Sequence, residues 1–385
     1  ILRFGGTWTN GTMTAIVYLN GTDGAYDFRG CDFYTPKNLT LGWKSGAGNW
    51  SKTVNMTVGE GAVVVVPQTF LMGGNAQTPN TYVEQEDGSR FSPNYLSMGS
   101  ASYSAGWNTT NIFVKKGGLL TTDALTLGNN LSGFFIQEAG TTEVSTVSFP
   151  VVSNAYSRLI VTGGTFGFVK LNANAGFPDS PTPLANPDNV EIAFSDCTVL
   201  NSGAYENQIG HPVLLDGDLT FDSAQGKATG FTNPVIGDRF NPTMTENAKV
   251  DLTMTRDFEQ TAGSPVYRNL QVASGCTYTL SGGPAVVTWN FLTNGVPINQ
   301  VFLTNSVGDV NCEVESGPHT FSWNPFETFP GYKFKNGSAK AVVTAFGPAQ
   351  SSQSKYANEP GRGRGRVFAD DLASSKQDGF AHTFC

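Results

Sequence analysis

One short phrase returns along this chain and limits what it can fold into. Leu39 to Gly42 reads LTLG, Leu96 to Gly99 LSMG and Leu125 to Gly128 LTLG, each followed by a Gly/Asn/Ser linker of variable length. An apolar pair on alternate residues and a turn come next: Met56 and Val58 before GEG, Ile112 and Val114 before KKGG, Phe134 and Ile136 before QEAG. A further extended run closes each unit (AVVVV, LLTT, TTEVST), and looser echoes begin at Arg158, Asn189 and Asn269. Alternation with period two marks strands with one buried face, and no convincing helical spacing occurs before the tail. Equivalent residues lie 22 (Val114 to Ile136), 25 (Ile136 to Val161) and 31 (Val161 to Ile192) positions apart. Repeats of roughly 20–50 residues belong to solenoids and propellers. Short strands with Gly/Asn corners, where positive φ is tolerated, favour an all-β parallel β-helix. Val114, Ile136 and Val161 are then expected to stack in one column. The competing reading is a β-sandwich or jelly roll made of hairpins.

Composition narrows the setting. Charged residues are 14% of the chain, against roughly 25% in ordinary soluble domains. Ser, Thr, Asn and Gly fill the gap, a surface that fits an extracellular β protein. A net charge of −8 lacks the positive footprint that nucleic acid requires. No apolar run approaches the ~20 residues of a membrane-spanning segment. The start at Ile1 reads as a mature product from which a leader was removed.

The LTLG-type phrase, its Gly/Ser/Asn linker and the Val-x-x-Gly-Gly turn resemble the repeats of pectin-lyase-like right-handed β-helices. They are similar, more narrowly, to the passenger and surface-protein repeats of bacterial autotransporters. The resemblance covers about residues 39 to 200 and thins out towards 280. It implies a right-handed solenoid and a choice of roles: adhesin, polymer-forming surface protein, tailspike-like depolymerase or polysaccharide lyase. Such a fold also serves viral or phage surface proteins.

Four segments are expected: cap strands at 1–35, the solenoid at 36–225, a second β region at 226–347 and an extended Gly/Ser/Arg tail at 348–385. Residues 68–95 and 174–189 read as loops thrown out of the coils. The tail contains GRGRGR, and its composition is that of a disordered segment unless it has a surface to lie on. Arg362, Arg364 and Arg366 are assigned to meeting the acidic body of an adjacent subunit, which makes the chain a homo-oligomer or polymer.

The best acidic cluster is Asp196, Glu206, His211, Asp216 and Asp218. The 22 residues from Asp196 to Asp218 put them on adjacent coils about 5 Å apart. Such a pair can act on a glycosidic bond or bind Ca²⁺; the plainer reading is a pair of acidic corners. The chain therefore reads as a structural or adhesive surface protein that self-associates, with carbohydrate binding or cleavage as the alternative. No catalytic or metal motif is present: no Gly-x-Ser-x-Gly, P-loop, HExxH or CxxC. GGTFG at 163–167 reads as a corner. Trp43, Trp50 and Trp107 sit in linkers, where they could pack over corners or stack on sugars. Among five cysteines, Cys276 and Cys312 are the first pair to consider for a disulfide. Sequons stand at Asn10, Asn20, Asn38 and Asn49, and again at Asn55, Asn108, Asn130 and Asn336, a number near chance for so Asn-rich a chain.

Overall fold

The structure, a computed structural model, describes residues 2–3, 6–9, 17–19, 24–35, 37–42, 53–73, 80–99, 109–150, 155–173, 187–260, 267–273, 276–280, 285–294, 296–299, 303–314, 319–324, 327, 329–330, 339–346, 365–368 and 380–384. The chain divides into two compact units. The first is Ile1–Phe240 with Thr245–Ala248; the second is Asn241–Met244 with Lys249–Cys385.

The first unit is a right-handed parallel β-helix. One sheet runs, in spatial order, through Leu2–Arg3, Ala25–Asp27, Thr53–Val58, Asn80–Gln85, Thr110–Lys115, Ser132–Gln137, Ser157–Val161, Val190–Ser195, Val213–Asp216 and Pro234–Ile236. Every neighbouring pair in it is parallel. The second sheet runs through Gly6–Thr9, Cys31–Tyr34, Val63–Met72, Arg90–Met98, Leu119–Leu127, Thr141–Ser148, Thr165–Asn172, Thr198–Asn201 and Asp218–Ser223. Sequence order and spatial order coincide, so each coil lies on the one before it.

The recurring phrase marks where a second-sheet strand ends. Leu39, Phe70, Leu96, Leu125, Val147 and Leu171 form one in-register column, all buried. The glycine that follows leaves the strand with positive φ, +78° at Gly99 and +69° at Gly128. Its N–H donates to the coil below, Gly99 to Met72 O and Gly128 to Met98 O, each at 2.9 Å. A fourth copy, FLMG at Phe70 to Gly73, belongs to the same series, since Gly73 N–H donates to Leu41 O. It lies in the stretch 68–95 that reads as a loop. That reading is overturned: Val63–Met72, Asn80–Gln85 and Arg90–Met98 are strands of both sheets.

Between the sheets phenylalanine rings form a continuous series. Phe70, Phe91, Phe113, Phe135 and Phe166 follow one another at centroid distances of 5.1, 5.9, 5.4 and 6.1 Å. Where coils turn, carbonyls point inward and buried polar side chains meet them. Gln137 Nε2 donates to the carbonyls of Gly163 (3.0 Å) and Thr165 (3.1 Å), while its Oε1 accepts from Thr142 Oγ1 (2.6 Å).

The first sheet holds the main departure from the sequence reading. Val114 pairs with Ile136, but Ile136 pairs with Ile160; Val161 lies one residue further along, on Gln137. The inward residues here are Asn111, Phe113, Lys115, Phe135 and Gln137, all buried. Ile112, Val114, Phe134 and Ile136 therefore occupy the outward face, although Met56 and Val58, aligned with them in the sequence, point in. Residues 1–35 contribute parallel strands to both sheets.

The second unit is mixed. Val250–Met254, Tyr267–Val272 and Gly365–Phe368 are parallel neighbours, and Ala339–Phe346 pairs antiparallel with Gly365–Phe368 and with Ala285–Thr293. Trp289, Phe291, Phe321 and Trp323 lead its core. No helix among the described residues is long and apolar enough to cross a bilayer.

Candidate functional site

The acidic cluster lies where three consecutive coils turn. Ser195 pairs with Asp216 in register, and the next coil brings Arg239 to the same corner. Asp196, at φ +50°, accepts the Asp218 N–H at 3.0 Å on Oδ1 and the Ser195 hydroxyl at 2.8 Å on Oδ2. Asp216 accepts the Arg239 N–H at 2.9 Å, and Arg239 Nη2 donates to the other Asp216 oxygen at 2.7 Å. The same guanidinium reaches Asp196 Oδ2 at 3.3 Å and Ser195 Oγ at 3.2 Å. The carboxylates that share a partner are thus Asp196 and Asp216; Asp218 contributes its backbone N–H.

This chemistry favours permanent anions. The Ser195 hydroxyl, the Asp218 N–H and Arg239 hold the Asp196 carboxyl below its usual range. Burial pulls Asp216 upward, but the backbone N–H and guanidinium of Arg239 outweigh it and leave the group lowered. A general acid for glycoside cleavage needs the opposite, a raised carboxyl. A Ca²⁺ would have to share these carboxylates with the guanidinium, and no cluster of three or more His, Cys, Asp or Glu suited to a metal occurs among the described residues. His211 is buried, with Nε2 2.8 Å from Val190 O, and burial lowers its pKa. Glu206 is exposed. The spacing that links Asp196 to Asp218 extends once more, to Arg239, and that continuation is the sequence signal for the missed residue.

A different concavity follows the second sheet. Its long strands bend near the middle, at Pro67 and Gln68, both exposed, and at a register shift between Pro93 and Tyr95. An open groove of about 560 Å³ crosses these bends, with Ser92, Thr121, Asp123, Glu143 and Ser145 among its polar groups and Val66, Pro93 and Val144 among its apolar ones. Thr121 Oγ1 donates to Ser92 Oγ at 2.9 Å, tying adjacent coils along the groove.

One buried ion stands apart. Lys115 Nζ, fully buried, donates to Gly117 O (2.5 Å), Gly118 O (2.6 Å) and Ala139 O (3.5 Å). Burial lowers its pKa from 10.5 to about 8, against a smaller upward pull from Asp87. Between those two pH values the unfolded chain binds a proton that the folded chain has released, so this group makes stability rise with pH. The slope cannot exceed ~1.4 kcal/mol per pH unit. Urea midpoints across that window are expected to climb relative to those of Lys115→Met, whose profile lacks this component.

Cys31, Cys197, Cys276 and Cys312 are free thiols, so Cys276 and Cys312 are unbridged here. Gly163 and Gly164 form a corner, as read. Asn38 accepts the Thr69 N–H at 3.0 Å through its amide oxygen, and Asn55 and Asn130 are half-buried. Asn10, Asn20, Asn49, Asn108 and Asn336 lie outside the described residues, as do Trp43, Trp50, Trp107, Arg362, Arg364 and most of 174–189. Arg366 lies in Gly365–Phe368, which pairs with strands of its own chain, as does Phe380–Phe384. No known protein family, curated protein or solved structure matches the chain.

Proposed function

We propose that this chain is an extracellular structural or adhesive surface protein whose copies associate with one another, in the manner of the autotransporter-type and pectin-lyase-like repeats that its phrases resemble. The observation that carries the reading is the use made of the acidic corner. Asp196, Asp216 and Arg239 are spent on joining successive coils, which is scaffold chemistry, whereas acid–base work needs a proton-bearing carboxyl held ready. The groove over Ser92, Thr121, Asp123 and Glu143 supports a second reading, binding of a carbohydrate chain, because its hydroxyls and carboxylates are suited to sugar hydroxyls and its apolar floor to sugar faces.

Sedimentation of the full chain tests the first reading. The weight-average mass is expected to rise above 41.0 kDa across a roughly hundredfold concentration range; a mass fixed at that value sinks it. A reducing-end assay on acidic polysaccharides, with Asp216→Asn beside the native chain, is expected to show no release by either. Release that Asp216→Asn abolishes would make the corner an active site.

A further inference from the structure

We infer that the outward face of the first sheet is the surface by which one copy packs on a second copy. The inference rests on the self-association proposed above and names its contact. The outward column through Val114, Ile136, Ile160, Ala193, Leu214 and Val235 is continuous in register over six strands. Ile112 and Phe134 stand beside it. Leu214 is 39% and Val235 52% exposed, Ile136 and Ile160 are half-buried, and Val114 and Ala193 are already covered within the chain at 7% each, so the open part of the column is Ile136, Ile160, Leu214 and Val235. A sheet with one wet face normally keeps its apolar residues inside. The second sheet follows that rule more closely: its outward column holds Val63, Arg90 and Leu119 and then Thr141, Thr165, Thr198 and Thr220 in consecutive coils. From Thr141 onward, then, the second sheet's outward column is polar while the first sheet's stays apolar.

Charge selects the occupant. The ions bordering the column are already paired within the chain, Arg158 with Glu191 at 2.8 Å and Lys116 with Glu84 at 2.9 Å. Arg158 also lies over the Phe134 ring at 4.9 Å. The face offers nothing to a strongly acidic or basic partner. The chain carries −8, so copies repel each other, and a neutral apolar face is where that repulsion is least. It is also self-complementary, as a two-fold contact requires. Six strands at ~4.8 Å spacing give a column about 24 Å long. With its polar border this is on the order of 500 Å² per copy, at the low end of specific interfaces. Association through it is therefore reversible and dependent on concentration.

The test uses the full chain with Ile136→Lys, Ile160→Lys and, as a charge control on the wet face, Thr165→Lys. The first two are expected to sediment as monomers at concentrations where the native chain and Thr165→Lys associate, with unchanged circular dichroism. Hydroxyl-radical footprinting of the native chain, which depends on no variant folding, is expected to show Ile160, Leu214 and Val235 protected as concentration rises. A native chain that associates while these residues stay open, or lysine variants that fold and still associate, overturns the assignment of this face and leaves self-association standing. A native chain that is monomeric throughout overturns both.

Discussion

Truncating Phe135 to alanine is expected to lower the stability of the solenoid by about 3–5 kcal/mol, the range for removing a buried aromatic ring. Phe135 is fully buried, stacked at 19° on Phe113 and edge-on to Phe166. Neighbouring backbones are held at ladder spacing by their hydrogen bonds and cannot collapse into the gap, so a cavity remains. Its chain neighbour Phe134 faces outward, half-buried under Arg158, and Phe134→Ala is expected to cost much less. Urea unfolding of the two variants checks this, read on the first unit's transition because stacked coils unfold through nearest-neighbour coupling. The comparison decides the register of the whole sheet. A slip of one residue would exchange the two results.

That sensitivity explains why the second sheet is legible in the sequence and the facing of the first is not. In the second sheet the apolar residue of each phrase is followed by a glycine that leaves the strand, so phase and period are fixed together, and the aligned Leu39, Leu96 and Leu125 share one column. In the first sheet the only signal is alternation, which gives the period and is silent on phase. Ile112 and Val114 are the more apolar set on their strand, yet Asn111, Phe113 and Lys115 point in. The interior accepts these polar groups because each coil corner leaves carbonyls to be met, a demand set by the neighbouring coil and invisible locally. Asn80–Gln85 reads as loop for a related reason: Val83 is its one apolar inward residue, between the buried Thr81 and Gln85, and in Arg90–Met98 Pro93 and a register shift interrupt the alternation between Phe91 and Leu96. At the acidic corner the spacing of Asp196 and Asp218 is readable, but which carboxylate shares a cation with Asp196 is not, because Arg239 joins Asp196 to Asp216 from a third coil.

The second large effect separates the two duties of a corner glycine. Gly30 and Gly140 both have positive φ, +62° and +80°. A Cβ at Gly30 would meet nothing within 4 Å, whereas one at Gly140 would lie 2.4 Å from Lys115 Nζ and 2.5 Å from Gly117 C and Gly118 O. Gly30→Ala is therefore expected to cost only the conformational penalty, about 1–2 kcal/mol. Gly140→Ala carries that penalty and a further ~1–3 kcal/mol, because backbone of the preceding coil must yield. The same substitution disturbs the carbonyls that hold the Lys115 ammonium, so the pH dependence assigned to Lys115 should change in Gly140→Ala and persist in Gly30→Ala. Urea midpoints of both variants at pH 7 and at pH 9 separate these contributions. Equal losses at the two sites would mean that the coils are not in contact at Gly140, and close stacking of backbone on backbone is what makes this unit a solenoid.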